Sequence, residues 1–240
     1  MEIIKTNSFE LAVNTAGDLN SEKMMLCLPG RLDTKDYAHM QNHLEHFAAQ
    51  GYFTISFDPP GTWESSDDIS LYTTPNYLIA IHEIIAYFGN RPTVTLGHSR
   101  GGTMALMAGV HNEYVTHMIA VMSHWGPSGR PDTAEAVHVS TRDLPPGTER
   151  TEERKEFRLP MSYFDDAGDY SGLDKSNKPK LFFAGLQDDL VTPNDVKEMY
   201  TEAGEPKKYL ELDSEHDYRL HAGIIDEVNK TAERFLSEAK

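Results

Sequence analysis

The chain of 240 residues has one cysteine, two tryptophans and no apolar run approaching the roughly 20 residues of a membrane span. The lone Cys27 excludes an internal disulfide framework and fits a reducing compartment. It lies inside the apolar run Met24 to Leu28, so it reads as a buried strand thiol rather than a nucleophile. Positive charge is also scarce. Lys and Arg number 22 against 38 Asp and Glu, a net charge of −16 with a pI near 5.0. Such a surface repels phosphate backbones and anionic lipid, which argues against nucleic acid and membrane as partners; the excess acid reads as solubility. Met1 to Lys5 has no basic segment followed by a long apolar core, so no secretory signal is expected and the chain reads as cytoplasmic. No internal repeat is visible.

What is present is an alternation of strand and helix patterns, which implies an α/β fold with a mostly parallel central sheet flanked by helices. Ser8 to Val13 alternates like an edge strand; Met24 to Leu28, Phe53 to Phe57, Thr93 to Leu96, Val115 to Met122, Lys180 to Ala184 and Lys207 to Leu212 read as further strands. Helices are expected over Asp36 to Gln50, with Tyr37, Met40, Leu44 and Phe47 as one apolar stripe and Gly51 as the stop, and over Thr74 to Phe88. Others are expected after Gly101, over Pro193 to Ala203, and over Ala222 to Ala239. The alternation breaks at Pro127 to Lys178, which is rich in Pro, Gly and charge, most of all in Asp143 to Lys155, yet carries Phe157, Leu159, Met161, Tyr163, Phe164 and Tyr170. Those apolar residues favour a small cap or lid insertion (127–178) in a core domain (1–126 and 179–240) over a flexible linker.

Gly97-His98-Ser99-Arg100-Gly101 is the most informative segment. It matches G-x-S-x-G between a predicted strand and a predicted helix, a context that lifts a serine hydroxyl clear of a sheet on a sharp turn. A serine is a weak nucleophile and needs a base, which in turn needs an orienting carboxylate. Both are available at later strand ends. Asp188 and Asp189 follow the strand at Lys180 to Ala184, and His216 follows the strand at Lys207 to Leu212. His216 sits in a strand-to-helix loop, whereas the rival His221 is already near the last helix. An oxyanion hole would use the backbone amide of Arg100, directly after the nucleophile, and that of Arg31 after the strand ending at Leu28. The side chains of Arg31 and Arg100 have two readings, surface charge or contact with an anionic substrate. Trp63 and Trp125 follow strand ends and, with His98, are candidates to line the pocket. His39, His43 and His46 fall near one helix face, but without an acid in metal-ligand register they read as a solvated face; no metal and no cofactor are expected.

The chain resembles the α/β-hydrolase fold family. The elbow at Gly97 to Gly101, the strand-end turn Phe57-Asp58-Pro59-Pro60-Gly61, the acid loop Gly185 to Pro193 and His216 before an amphipathic last helix carry the likeness, which spans nearly the whole chain outside 127–178. The resemblance selects Asp188 over Asp189 as the acid. It implies hydrolysis of an ester, thioester or related acyl bond of a small-molecule substrate, with no cofactor, by Ser99, His216 and Asp188. One departure is that Pro29-Gly30 stands where the family commonly has His-Gly. Having Ser99 rather than Asp argues against the haloalkane dehalogenase and epoxide hydrolase branches. Acyl transfer or perhydrolysis by the same residues, and a non-hydrolytic receptor or scaffold on the same fold, are the competing functions.

Overall fold

A computed structural model describes residues 2–65 and 68–238. Ten strands and five α-helices are assigned: β1 (Glu2–Lys5), β2 (Glu10–Ala16), β3 (Met24–Leu28), α1 (Ala38–Ala49), β4 (Phe53–Phe57), α2 (Thr74–Tyr87), β5 (Thr93–His98), α3 (Arg100–His111), β6 (Val115–Val121), β7 (Val137–Asp143), β8 (Arg154–Pro160), β9 (Lys180–Gly185), α4 (Pro193–Glu202), β10 (Lys207–Leu212) and α5 (Ala222–Glu238). The main sheet runs β1-β2-β4-β3-β5-β6-β9-β10. Its six strands from β4 to β10 in that order are parallel, while β1 and β2 form an antiparallel edge. The edge strand β1 lacks a clear alternation, which is why the sequence pattern does not announce it.

The parallel strands β3, β4, β5 and β9 are buried along their whole length, as continuous apolar runs such as Met24 to Leu28 require, whereas β10 at the sheet edge is only partly buried. Met24, Leu26 and Leu28 join one core cluster with residues of α2 and α3, and Met25 and Cys27 point to the other, with residues of α1 and α5. The stripe Met40, Leu44 and Phe47 on α1 is fully buried against that second core, each side chain contributing about 1.5–3 kcal/mol of transfer free energy. Helix starts follow local chemistry. The Thr73 hydroxyl accepts from the Asn76 amide ahead of Pro75, and Thr192 with Asp195 forms a capping box on α4. The expected helix end at Ala239 lies outside the described residues.

Residues 127–178 carry a separate antiparallel ribbon, β7 with β8, in which Asp143 pairs with Arg154. Phe157, Leu159, Met161, Tyr163 and Phe164 are buried in the same cluster as β3, α2 and α3. Asp143, read from the sequence as the start of the most polar stretch, is fully buried because Arg219 closes an ion pair on it at 2.5 Å. No helix among the described residues is long and apolar enough to cross a membrane.

Candidate active site

Residues following the carboxyl ends of four parallel strands converge on one place. Ser99 follows β5, Asp188 follows β9, His216 follows β10 and Arg31 follows β3, which is where open α/β sheets hold ligands. Ser99 occupies a left-handed backbone, φ 52° and ψ −121°, at the N-cap of α3. A non-glycine residue there is strained by about 1–3 kcal/mol, and the packing around it must hold it in place. The flanking glycines are what allow this. A Cβ on Gly97 would collide with the carbonyl of Gly101, and one on Gly101 with the carbonyls of Leu28 and Pro29.

The Ser99 hydroxyl lies 2.9 Å from His216 Nε2, and His216 Nδ1 lies 2.7 Å from Asp188 Oδ2. The carboxylate can only accept, so Nδ1 carries the proton and donates it, leaving the Nε2 lone pair facing the serine. The other oxygen of Asp188 accepts the amides of Leu190 and Val191, both at 2.9 Å. Burial works to raise the Asp188 carboxyl, but the His216 hydrogen bond and charge and these two amides outweigh it and hold it below the usual carboxylate range. Asp189 is exposed and His221 faces Glu215 at 3.5 Å, away from this chain of bonds. The base is also held from behind. The ring of His98, 2% exposed, donates from Nε2 to the carbonyl of His216 at 2.9 Å, while its Nδ1 lies 3.6 Å from Asp33.

Among the described residues, neither the backbone N–H of Arg31 nor that of Arg100 has an acceptor. The carbonyl of Arg31 is clamped by Arg142, Nε at 3.0 Å and Nη2 at 2.6 Å, and the next amide, Leu32, donates to the Tyr72 hydroxyl at 3.1 Å. The Arg100 side chain fits neither sequence reading. It is 4% exposed and held in an ion pair with Asp166 at 2.7 Å, with Tyr170 and Thr74 as further partners, because Asp166 and Tyr170 of residues 127–178 pack over it.

A cavity of about 370 Å³ opens on Ser99 and His216, and His98, Arg31 and Arg100 are among its walls. Trp63 and Trp125, expected at its wall, do not line it. Trp63 donates to the Leu32 carbonyl at 2.8 Å and packs edge-on against Phe157; Trp125 donates to the Tyr170 carbonyl at 2.7 Å. Both pin loops or the insertion to the core.

The solvated histidine face on α1 is corrected by the structure. His39 and His43 are fully buried, since α1 packs against α5 on that side. The His43 ring lies 2.6 Å from Asn229 Oδ1 and 2.7 Å from the Tyr218 hydroxyl, and burial pushes it down to about 4. Both ring nitrogens of His39 lack a hydrogen-bond partner, and burial keeps it neutral. Only His46 is partly exposed, 3.0 Å from Glu233. Two groups bring metal-ligand atoms within 4.8 Å of one another, Asp33 with His39 and His98, and Asp36 with Asp58 and Glu64. In each, a protein cation already supplies positive charge: Arg142 pairs with Asp33, and the buried Lys35 ammonium pairs with all three acids of the second group.

A family described as alpha/beta hydrolase fold matches residues 23–137, a span that includes β3 and the elbow. Comparison with curated protein sequences gives no match. Among solved structures, the chain is similar to Est1E from Butyrivibrio proteoclasticus with bound ferulic acid, at 17% identity over 100% of this chain and 99% of that one, with a TM-score of 0.78. Alpha/beta hydrolase domain-containing protein 10 from mouse is similar at 15% identity over 100% and 99%, TM-score 0.76. A thioesterase domain from the curacin biosynthetic pathway is similar at 16% identity over 98% of each chain, TM-score 0.67. At such identities the likeness speaks for the fold.

Proposed function

The chain is an α/β-hydrolase-fold protein, and from that premise we propose that it is a serine hydrolase cleaving an ester, thioester or related acyl bond of a small molecule through an acyl-enzyme. The observation that carries this reading is the unbroken hydrogen-bond chain from Ser99 Oγ through His216 to Asp188, built on a strained elbow.

In this reaction Ser99 Oγ attacks the carbonyl carbon as His216 Nε2 takes its proton, and Asp188 holds the ring in the productive tautomer and balances the imidazolium. The amides of Arg31 and Arg100 receive the developing oxyanion. The C–O or C–S bond then breaks, and the leaving alcohol or thiol departs with the proton from His216. Water, deprotonated by His216, attacks the acyl-enzyme; its oxygen ends in the product acid, and Ser99 recovers its proton. No cofactor enters this balance. Residues 127–178 act as the cap that shapes the substrate space, and the strongly acidic chain works as a soluble, cytoplasmic enzyme without nucleic acid or membrane as partner.

Labelling with a fluorophosphonate tests the reading. Wild-type protein is expected to label on Ser99 and to turn over short nitrophenyl esters, and Ser99→Ala to lose labelling and at least about 10³-fold in turnover. Undiminished turnover in Ser99→Ala would overturn it.

A further inference from the structure

The cavity over Ser99 is walled by arginine. Arg31, Arg100, Arg142, Arg150, Arg154 and Arg219 all line it, six of the ten arginines in a chain whose net charge is −16. Five of these are already committed. Arg100 pairs with Asp166, Arg142 with Asp33, Arg150 with Glu215 and Asp217, and both Arg154 and Arg219 with Asp143. Arg31 is different: its guanidinium has neither a hydrogen bond nor an ion pair among the described residues, and the residue, partly buried, lines the cavity. Five of the six arginines thus have an acidic partner, and Arg31 alone among the six has none.

The backbone of Arg31 is held in place. Its carbonyl is held by Arg142, and the following amide is bound to Tyr72, so the backbone that carries the guanidinium is fixed by the same bonds that aim its amide. The walls offer little apolar surface in exchange, since Leu190 and Val191 are the only large aliphatic residues lining the cavity among the described residues. A long acyl chain would therefore lose water without gaining apolar contact, whereas a carboxylate or phosphate would meet a charged, forked donor in a partly desolvated setting. The acidic exterior opposes the approach of such an anion, so the arginine wall also sets the sign of the potential where it matters. Much of this cationic lining is supplied by Arg142, Arg150 and Arg154 of residues 127–178.

We propose that the substrate is a small ester or thioester carrying a carboxylate or phosphate a few bonds from the scissile carbonyl, anchored by the Arg31 side chain. This rests on the hydrolase reading above for its chemistry, but the anion site can be tested apart from it.

The experiment compares 4-nitrophenyl pentanoate with 4-nitrophenyl hemiglutarate, which differ in ending the acyl chain with methyl or carboxylate, and adds the corresponding 4-phosphonobutanoate ester to separate the two anion sources. At low salt the charged esters are expected to exceed the neutral one in kcat/KM by about tenfold or more, over buffer background, with the preference shrinking as salt rises. Arg31→Gln should remove that preference, whatever its effect on neutral-ester turnover, and Arg31→Lys should keep part of it. A wild-type preference for the neutral ester, or a preference for charge untouched by Arg31→Gln, would overturn the proposal while leaving Ser99 labelling and the hydrolase reading intact. If no ester is turned over, calorimetry on Ser99→Ala with monomethyl glutarate and with phenyl phosphate decides. Saturable binding lost on adding Arg31→Gln supports the anion site without the hydrolase reading, and no saturable binding overturns the site.

Discussion

Arg142 reaches from β7 to grip the carbonyl oxygen of Arg31 with two nitrogens, Nε at 3.0 Å and Nη2 at 2.6 Å. A side chain of β7 thereby fixes the peptide neighbouring the proposed oxyanion donor. Charge-assisted hydrogen bonds of this kind contribute about 1.5–3 kcal/mol. Arg142→Gln is accordingly expected to lower kcat by about tenfold to a hundredfold, with Ser99 still labelled by fluorophosphonate at a reduced rate. Steady-state kinetics on a neutral short ester checks this; an unchanged kcat would mean the loop holds its shape without the clamp.

Asp188 and Asp189 are adjacent in the chain but opposite in setting. Asp188 is 4% exposed and bound to His216 and two amides, whereas Asp189 is exposed. Asp188→Asn should cost at least about 10²-fold in kcat by offering Nδ1 of His216 the wrong partner, and His216→Ala should be at least as severe. Asp189→Asn should stay within about twofold, since an exposed carboxylate without a partner contributes little. The reverse ranking would move the acid by one position.

Buried neutral histidines make stability depend on pH. His43 is pushed down to about 4 by burial, against an ordinary value of 6.5, and His39 is lowered as well. Between those values the unfolded chain binds a proton that the folded chain refuses, so stability falls as pH drops from about 6.5 towards 4; above that window this contribution is flat. For His43 alone the full effect is about 3 kcal/mol. Asp188 and Asp143, both held low, act in the same direction further down, their stabilisation being lost as the pH falls through their folded-state values. Urea midpoints at pH 7.5, 6 and 4.5 should decline for wild type and decline less steeply for His43→Gln. Equal slopes would mean that His43 protonates without cost.

The parallel sheet and the elbow at Ser99 were legible because both are written locally: continuous apolar runs mark doubly covered strands, and glycine spacing marks the elbow, whereas the choice of Asp188 over Asp189 came from the family resemblance. His39 and His43 were misread because burial on α1 depends on α5, more than 170 residues away, which supplies Asn229 and neighbours Tyr218. Polar type at helical spacing carries no record of such a partner. Trp63 and Trp125 were placed correctly at strand ends, yet their indole N–H groups found backbone carbonyls of Leu32 and Tyr170, a choice made by tertiary contact. The arginine wall escaped notice for a related reason: its members are scattered from Arg31 to Arg219, and only the return of residues 127–178 over the sheet edge gathers them.

Gly101 offers a stringent test of the elbow, because the space it leaves is bounded on the far side by backbone. A Cβ there would drive into the carbonyls of Leu28 and Pro29, at the end of β3 and the start of the loop that carries Arg31. Neither peptide can rotate aside cheaply: Leu28 is paired in register with Gly97, and the Pro29 carbonyl accepts the Tyr77 hydroxyl at 3.0 Å. Relief must come from moving α3 away from the sheet, which displaces Ser99 from His216 and widens the gap between the two proposed oxyanion donors. Gly101→Ala is therefore expected to lose about 1–3 kcal/mol of stability and at least about 10²-fold in the rate of fluorophosphonate labelling. Gly223 in the first turn of α5 provides the matched control, since a Cβ there meets open space. Gly223→Ala should leave labelling unchanged and stabilise the helix by up to about 1 kcal/mol. If Gly101→Ala labels at the wild-type rate, the close approach of α3 to β3 is not what holds the nucleophile in place.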